Sequence, residues 1–555
     1  MRSIQWRGRL ARLAGVLAAS GFIGLATAQQ SRAQDADIGA QAAEDHAALG
    51  TVDFDVSCSP DVIERFDRAL ALLHHMQYVE SRAAFEQIAE ADESCGMARW
   101  GIAMTLFQPL WPSRPGPDEL RRGAAEIEAA RTIGIGTDRE TALVDAAAAF
   151  FAEPESADWW TRIRRWSDAM EVAFAAHPDD VETAALYALS QLAIGPVTDD
   201  RMAHNARAAE VLLEIHDREP SHPGAVHYTI HANDVDSRAN ESGTVVRSYS
   251  EIAPSTPHAL HMPSHIYVRL GQWPEVVEWN RRSAAAALSF PAGEAVSHHY
   301  LHALDYQVYA YLQRAEDDRA LALVNRTKQE DAYQATFISA FHLATIPARY
   351  AVERRAWEEA GLIEPRAPES VDWDKFRWAE AISWFARGLG AVHTGQLDAA
   401  ANAERHMDEL RDAATAADEQ AFAEYIEIDR LILAARLALA GGDENAAVRL
   451  ASDAVELEAS TQKHPVTPGA LYPAQEALGD LLMELDRPAE ALEAYEGSLD
   501  TWPGRFNSLA GAARAAVAVG RDGDAAAYYG ELLAVTAGDV ADRPALREAR
   551  AFAKR

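Results

Sequence analysis

The sequence is poor in cysteine and in the alternating β-branched runs that form half-buried strands. Only two cysteines occur among 555 residues, so a structural zinc site with four cysteine ligands is excluded. Alanine is abundant and glycine moderate, a composition that favours helices over strands. We therefore predict an all-α protein, and at this length a single compact globule is not expected.

Basic residues are scarce relative to acidic ones. Lys and Arg number 51 against 85 Asp and Glu, which gives a formal charge of −34 at pH 7. Nucleic-acid binding needs a basic face that neutralises phosphates, so the sequence argues against a nucleic-acid partner. The same balance disfavours an anionic membrane surface, and most of the acidic groups are interpreted as a solvated surface.

Long apolar runs are also missing, apart from one near the N-terminus. The chain begins with the basic stretch MRSIQWRGRLAR and continues with the apolar stretch LAGVLAASGFIGLATA, which is too short to span a bilayer. Ala-Thr-Ala at 26–28 or Ser-Arg-Ala at 31–33 would suit cleavage. Residues 1–33 are thus predicted to be a cleavable signal peptide, and the mature chain is expected to be periplasmic or secreted, without membrane insertion.

The two cysteines, Cys58 and Cys95, flank two helical patterns at about 61–75 and 79–92. An antiparallel helical pair returns to its starting end, so the cysteines are expected to lie near each other. In an oxidising compartment we predict a disulfide that closes a loop of roughly 36 residues and stabilises the fold by about 2–4 kcal/mol. Two buried free thiols are the alternative.

A helical repeat is clearest near the C-terminus. The residues that define it are Gly479, Ala491, Tyr495 and Pro503, with offsets of 12, 4 and 8, and a shift of 34 reaches Ala525 and Tyr529. These offsets and this period are the tetratricopeptide (TPR) pattern, in which small residues let two helices cross closely beside an aromatic ring. The fold is therefore predicted to be a TPR-like solenoid of helical hairpins, curved or superhelical.

Proline-rich stretches interrupt this array. EPRAPESVDWD at 364–374 cannot continue a helix and is predicted to be a linker between two blocks. The predicted organisation is a signal peptide at 1–33, a flexible lead-in at 34–52, a degenerate TPR-like domain with a histidine-rich site at 53–363, the linker at 364–374, and C-terminal TPR repeats at 375–555.

Nine of the nineteen histidines fall within residues 222–305. They form three packets, HPGAVHYTIHAND at 222–234, HALHMPSHIYVRLGQW at 258–273 and HHYLHALDY at 298–306. The spacing His-x3-His-x2-Asp occurs at His227, His231 and Asp234, and again at His298, His302 and Asp305. Two imidazoles four residues apart share one face of a helix, as do the paired ligands of HExxH zinc sites.

The middle packet holds His258, His261 and His265, which would share one face of an unbroken helix. Pro263 disfavours helix at the preceding residue and lacks an N–H donor. If the helix begins at Pro263, only His265 lies on it, and His261 reaches the site from the preceding turn. We predict both as ligands and retain His258 as a candidate.

The sequence therefore predicts a site for a divalent transition metal and no organic cofactor. The predicted ligands are His227, His231, His261, His265 and His302, with His258 and His298 as further candidates and Asp234 or Asp305 as a ligand or as a residue that orients one. Neutral imidazoles suit Zn, Cu, Fe or Ni. Six or more ligands could serve two ions and would permit hydrolytic or oxidative chemistry.

Two other interpretations stay open. The histidines could form a structural hydrogen-bond network inside a TPR scaffold that binds a peptide or protein partner in its concave groove. Alternatively, a His–Asp pair such as His302–Asp305 could act as a metal-free acid–base catalyst, with Tyr228, Ser264 and Tyr267 as the adjacent candidate nucleophiles. The sequence alone does not decide whether the protein is an enzyme.

The chain resembles a family of bacterial exported TPR proteins, many without an assigned activity. The segments that carry the resemblance are FDRALALLHHMQYVESRAAFEQIAEADESCGMARWGIAM at 66–104, HPGAVHYTIHAND, HMPSHIYVRLGQW, HALDYQVYAYLQ at 302–313 and HPVTPGALYPAQEALGDLL at 464–482. The sequence departs from the pattern at Glu93, where the repeat carries proline, and at Asp234, where a glutamate is expected. The resemblance implies the fold and export, and no particular reaction.

Overall fold

The computed structural model describes residues 48–111, 114–235, 238–330, 332–536 and 540–555. The predicted signal peptide and residues 34–47 of the predicted lead-in lie outside the described residues. Within those ranges the regular structure is helical, and the only β-type pairings are two isolated bridges, between Ala292 and Ala295 and between Val296 and Tyr333. The all-α prediction is confirmed.

The first part of the chain forms eight α-helices ahead of the histidine packets. They are α1 Ile63–His74, α2 Tyr78–Ala91, α3 Gly96–Thr105, α4 Pro117–Ile133, α5 Asp138–Phe151, α6 Trp159–Ala176, α7 Val181–Ile194 and α8 Arg201–Arg218. Side-chain oxygens cap the starts of α5 to α8, because Thr137, Asp158, Asp180 and Asp200 each accept a backbone N–H of the first turn.

The histidine packets lie on the next group of helices. These are α9 Pro223–Asn233, α10 Gly243–Ile252, α11 Pro257–His261, α12 Pro263–Arg269, α13 Trp273–Leu288, α14 His298–Gln313, α15 Asp317–Arg326 and α16 Phe337–Glu353. Proline occupies the first turn of α9, α11 and α12, where its missing N–H leaves no hydrogen bond unmade. The prolines therefore set where the histidine-bearing helices begin.

The remaining helices continue the array to the C-terminus. They are α17 Trp357–Gly361, α18 Arg377–His393, α19 Leu397–Ala416, α20 Gln420–Ala440, α21 Glu444–Ser460, α22 Ala474–Glu484, α23 Pro488–Thr501, α24 Phe506–Ala518, α25 Asp522–Val535 and α26 Pro544–Phe552. Four short 3-10 helices lie at Pro60–Val62, Gly195–Val197, Ala239–Ser242 and Trp373–Lys375. In the described part of the chain, no helix combines the length and apolarity needed to cross a membrane.

Helices that follow one another in sequence also pack against one another in space, as in the pairs α18–α19, α20–α21, α22–α23 and α24–α25. The repeat signature explains the close approach. A Cβ atom at Gly479 would lie 2.7 Å from the Tyr495 ring, and one at Gly511 would lie 2.3 Å from it. Ala491 and Ala525 are fully buried. The predicted TPR-like solenoid of helical hairpins is confirmed.

The hydrophobic core is continuous across the predicted linker at 364–374. One cluster of buried side chains contains Ile338 and Val352 on one side of this segment and Phe385 and Tyr472 on the other. Trp373, inside the segment, is itself buried, and its indole N–H donates to the Pro368 carbonyl oxygen at 2.9 Å. The segment contains no α-helix, yet the blocks that it joins share a core.

Residues 48–52, assigned to the flexible lead-in from sequence, are packed onto the fold. Leu49 and Val52 are buried, and the Thr51 N–H donates to the Ser221 carbonyl oxygen at 2.9 Å. Gly50 permits this contact, since it has a φ of 80° and a Cβ there would lie 2.4 Å from the same oxygen. The prediction of flexibility is corrected for these residues, because apolar side chains in this short stretch find buried sites.

Cys58 and Cys95 are joined by a disulfide, with Cα atoms 4.8 Å apart and 37 residues of sequence separation. Cys58 precedes α1 and Cys95 caps α3, so the bond closes the end of the α1–α2 pair.

We expect the Cys58→Ser, Cys95→Ser double variant to lose about 2–4 kcal/mol of unfolding free energy, because its unfolded chain is less constrained. Urea unfolding with and without dithiothreitol measures this. The reductant should shift only the wild-type curve, and no shift would contradict the prediction.

Two glycine substitutions test the helix packing. Gly511→Ala should lower the unfolding free energy by about 1–3 kcal/mol, because its Cβ overlaps the buried Tyr495 ring. Gly530→Ala in α25 is the matched control, since no atom lies within 4 Å of its Cβ position, and it should gain about 0.5–1 kcal/mol from helix propensity. Equal effects of the two substitutions in urea unfolding would contradict this account.

Candidate metal centre

Three separate helical segments bring their histidines to one place: α9, the pair α11–α12, and α14. At the start of α9, His222 Nδ1 accepts the Ala225 N–H at 3.0 Å and so caps the helix. Between α11 and α12, Met262 keeps helical backbone angles, with φ −52° and ψ −41°. Pro263 therefore does not turn the chain away, and His261 and His265 face each other with ring centroids 4.8 Å apart.

His261, His265 and His302 form the first cluster, which we call the His261 triad. All three rings are buried. One ring nitrogen from each lies within 4.8 Å of the corresponding nitrogens of the other two. The Nε2 atoms of His261 and His265 are only 2.9 Å apart. Which nitrogens carry protons therefore decides what this cluster can bind.

The neighbours of His261 and His265 fix the position of their protons. Asn280 Nδ2 donates to the Val276 carbonyl oxygen at 2.8 Å, which leaves Asn280 Oδ1 to accept from His261 Nδ1 at 2.7 Å. His265 Nδ1 lies 2.8 Å from Asp234 Oδ2, and an ionised carboxylate can only accept. Each ring thus carries its proton on Nδ1 and a lone pair on Nε2.

Asp234 is ionised and firmly held. Besides His265, it accepts from Arg269 Nε at 2.9 Å and from Lys463 Nζ at 3.1 Å. Burial alone would raise the pKa of this carboxyl, but Lys463 and Arg269 hold it well below its usual range. A buried carboxylate with three donors keeps its acceptor role, so it keeps His265 in one tautomer.

The position of the His302 proton is also fixed, but indirectly, through His342 and Asp305. Asp305 accepts from Arg349 Nε at 3.0 Å and from His342 Nδ1 at 3.2 Å. Since His342 carries its proton on Nδ1, its Nε2 accepts from His302 Nδ1 at 2.8 Å. Arg349 and His342 lower the pKa of Asp305 although burial opposes them. The third ring of the triad is therefore also left with its lone pair on Nε2.

The three rings of the His261 triad therefore direct their Nε2 lone pairs toward one another at close range. Two neutral imidazoles with facing lone pairs repel unless a cation lies between them. Burial, followed by the neighbouring histidine, lowers the pKa of His261 well below its usual value, and burial also lowers that of His265. A proton is thus disfavoured as the bridging cation. Metal-ligating histidines typically donate their second N–H to an acceptor, as all three of these rings do.

The second cluster, the His227 triad, consists of His227, His231 and His258, again with one ring nitrogen from each within 4.8 Å of the others. His227 Nδ1 donates to the His74 carbonyl oxygen at 2.6 Å, and its Nε2 lies 3.1 Å from His258 Nε2. Buried nitrogens without a partner occur in both other rings, at His231 Nε2 and His258 Nδ1. Burial is the main cause of the lowered pKa of all three rings.

The two triads face a common cavity of about 50 Å³. Ring centroids of His231 and His265 are 6.2 Å apart, and those of His258 and His261 are 6.4 Å apart. The remaining wall is supplied by Leu110, Trp111, His298, His299, Ile338 and the stretch His464–Val466. At roughly 30 Å³ for one water molecule, the cavity has room for one or two water molecules.

A third histidine cluster has a different character. Glu182 accepts from His74 Nε2 at 2.7 Å and from His222 Nε2 at 2.9 Å. His74 Nδ1 accepts from the Tyr228 hydroxyl at 3.1 Å, and His222 Nδ1 holds the α9 cap. Burial opposes ionisation of Glu182, yet the two histidines lower its pKa. Every ring nitrogen has a partner, so the hydrogen-bond-network interpretation fits this cluster, although its three ligand atoms also lie within 4.8 Å of one another.

Other residues predicted from sequence have roles that the geometry defines. Asp234 contacts the triad ring of His265, Asp305 contacts His342, and neither carboxylate belongs to a triad. His298 lines the cavity outside both triads, and its Nδ1 lies 3.4 Å from the Thr336 hydroxyl. The suggested acid–base pair His302–Asp305 is wrong, because His342 lies between the two side chains.

Two of the three suggested nucleophiles, Tyr228 and Ser264, have other hydrogen-bond partners. The Tyr228 hydroxyl contacts His74, and the Ser264 hydroxyl donates to the His261 carbonyl oxygen at 2.6 Å. Asn280 and Lys463 were missed from the sequence as partners of the site, since no local spacing marks them. His342 carries one signal, an apolar helical environment in FISAFHLATIPARY that gives a histidine no solvent.

Comparisons with known proteins give structural neighbours only. No protein-family model and no curated protein matches the sequence. The human IFIT1 dimer with PPP-AAAA is similar at 12% identity and a TM-score of 0.38, covering 87% of this chain and 97% of that one. The APC/C hetero-tetramer Cut9-Hcn1 is similar at 12% identity and a TM-score of 0.30, covering 89% of each chain. The helix packing described above, and not these values, defines the fold.

The buried neutral histidines make stability depend on pH. His75, whose ring contacts the Leu49 carbonyl oxygen at 3.0 Å, has its pKa lowered by burial to about 4. Below its unfolded pKa of about 6.5, only the unfolded chain takes up the proton, so stability is lost as pH falls from 6.5 towards 4. Each such group contributes up to about 1.4 kcal/mol per pH unit.

Urea unfolding at pH 7, 6 and 5, in the presence of a chelator, should therefore show a steep loss of unfolding free energy below pH 6.5. The His75→Gln variant should be less stable at pH 7, because it loses the ring contacts, but its pH slope should be shallower by about one proton. A wild-type stability that stays flat between pH 7 and pH 5, or a variant with an unchanged slope, would contradict the assignment.

Proposed function

We propose that this TPR-like protein binds two transition-metal ions, one at the His261 triad and one at the His227 triad. The observation that carries the proposal is the 2.9 Å separation of the His261 and His265 Nε2 atoms. Both rings have committed their protons to Asn280 and Asp234 on the opposite side. A cation that accepts two nitrogen lone pairs relieves this arrangement, and burial disfavours a proton in that role.

The donor set narrows the class of ion. Each triad offers neutral imidazoles and no thiolate or carboxylate, which suits Zn, Cu, Fe or Ni and disfavours Ca and Mg. Three protein ligands leave a coordination position open, as in catalytic rather than structural metal sites. Two rings of each triad line the shared cavity, and an ion held there would supply Lewis-acid or redox chemistry, which supports a hydrolytic or oxidative activity of the centre.

A peptide in the concave groove is the second candidate, and the C-terminal block bears on it. The segment 461–473 lies against the helices that carry the site. The Tyr306 hydroxyl donates to the Pro465 carbonyl oxygen at 3.1 Å, and Arg349 contacts Thr467 and Gly469, each at 3.2 Å. The chain itself thus covers this surface beside the triads, which favours the metal-centre proposal over a peptide at this position.

We also propose that the chain works outside the cytoplasm. The basic and apolar pattern of residues 1–33 is that of a secretory signal. The Cys58–Cys95 disulfide suits an oxidising compartment. The mass of the exported chain in a periplasmic extract, measured by mass spectrometry, tests whether the signal is cleaved near residue 28 or 33.

The metal content of the purified chain tests the main proposal. Protein is produced in media supplemented separately with Zn, Cu, Fe or Ni, and metal per chain is measured by plasma mass spectrometry. We expect two ions per chain with at least one of these metals. His265→Ala should remove the ion of the His261 triad, and His231→Leu should remove that of the His227 triad, each leaving about one ion.

His231→Leu separates metal binding from folding. His231 Nε2 is buried without a partner, so replacing this ring by an apolar side chain should not destabilise the metal-free protein. His406→Gln serves as the control, because this ring is 40% exposed and far from the site in sequence, and it should keep both ions. Less than 0.2 ion per chain in wild type with all four metals, or an unchanged content in both triad variants, would sink the proposal.

A further inference from the structure

A second and larger cavity, of about 250 Å³, lies among the C-terminal helices. Its walls come from α12, α16, α18 and α20 to α23 and from the segment 461–473. His464 lines this cavity as well as the one between the triads. The space equals that of roughly eight water molecules at about 30 Å³ each, enough for a small organic ligand. None of the six triad histidines lines this larger cavity.

Aromatic side chains form one part of the wall. Phe341, Trp378, Tyr425 and Trp502 all line the cavity. Trp378 and Tyr425 are stacked on each other, with ring centroids 4.5 Å apart and an interplanar angle of 24°. Rings in such a wall bind the flat apolar body of a ligand, and their faces also attract cations.

Two carboxyl groups form another part of the wall. Asp429 on α20 and Glu458 on α21 both line the cavity. Glu458 accepts the Ala474 N–H at 3.0 Å. Among the described residues, neither carboxyl has a cationic side chain within 4.0 Å. Both side chains are half-buried. By contrast, the buried carboxylates Asp234 and Asp305 are paired with arginine or lysine.

Ionisation of these two carboxyls is unfavourable as long as no cation lies beside them. Burial raises the pKa of Glu458 to about 7, and burial together with the nearby Glu458 raises that of Asp429 well above its usual value. Thr345, only 1% exposed, lines the same cavity, and its hydroxyl has no hydrogen-bond partner. A wall with two carboxyls that lack a cationic partner and a hydroxyl that lacks a hydrogen bond favours a polar ligand.

We propose that this cavity binds a small organic monoamine. Its ammonium group lies between the Asp429 and Glu458 carboxylates, and its apolar body lies against Trp378, Tyr425 and Phe341. The ammonium supplies the positive charge that both carboxylates lack, and the aromatic rings remove the body from water.

The charged residues on the opposite side of the cavity restrict which ligand can bind. Arg269, Arg349 and Lys463 line it, and all three hold the carboxylates Asp234 and Asp305 that orient the His261 triad. A second ammonium group near these cations would be repelled, so a monoamine is favoured over a diamine. A carboxylate in place of the amine would be repelled by Asp429 and Glu458.

Calorimetric titration of the full chain with three matched probes tests the proposal. Tyramine carries one amine on an aromatic body, 4-hydroxyphenylacetate replaces the amine with a carboxylate, and 1,5-diaminopentane carries two amines. We expect tyramine to bind at least tenfold more tightly than either of the others. Protein produced with and without supplemented metal should give the same result, so failure of this proposal is distinguishable from failure of the metal-centre proposal.

Two isosteric variants locate the binding. Asp429→Asn and Glu458→Gln should each weaken tyramine binding at least tenfold, and their melting temperatures should be unchanged or higher, because each removes a half-buried charge that has no cationic partner. Glu456→Gln is the matched control on the same helix, where the side chain is exposed, and it should bind as wild type does. Absence of tyramine binding at millimolar concentration, equal binding of 4-hydroxyphenylacetate, or wild-type affinity in both variants would overturn the proposal.

Discussion

The buried carboxylate of Asp234 is the interaction on which the candidate centre depends. It accepts from His265 on α12, from Arg269 one turn later and from Lys463 in the C-terminal block. One side chain thus fixes the tautomer of His265 and joins parts of the chain that are 229 residues apart. Removing one member of such a buried set leaves the others uncompensated, at a cost of several kcal/mol. The order of the site therefore depends on how the C-terminal block packs against the helices that carry the histidines.

Sequence reasoning reached the fold and the segments whose histidines cluster, because both depend on local spacing. The TPR offsets around Tyr495 and the histidine pairs four residues apart are visible in the chain itself. The partners of the carboxylates were not. Asp234 and Asp305 lie on the helices of His231 and His302, yet they bind His265 and His342, which approach from other helices. Tertiary packing chooses these partners, and no local period records the choice.

The same residue type serves two purposes in this core, and the distribution of protons separates them. Around Glu182, His74 and His222 use every ring nitrogen for hydrogen bonds, which makes a closed structural network. In the His261 triad the protons all point outward to Asn280, Asp234 and His342, which leaves the interior rich in lone pairs. Histidine count or density alone would not distinguish these clusters, whereas the identity of the outer partners does.

Burial of the triads also has a kinetic consequence. Five of the six rings are buried, and Trp111 lines the cavity with its ring centroid 5.5 Å from that of His258. An ion held by a triad would have to break its contacts with several buried nitrogens before it left, and local opening of the helices would speed that step. An ion taken up while the chain folds would therefore exchange slowly with metals that become available later.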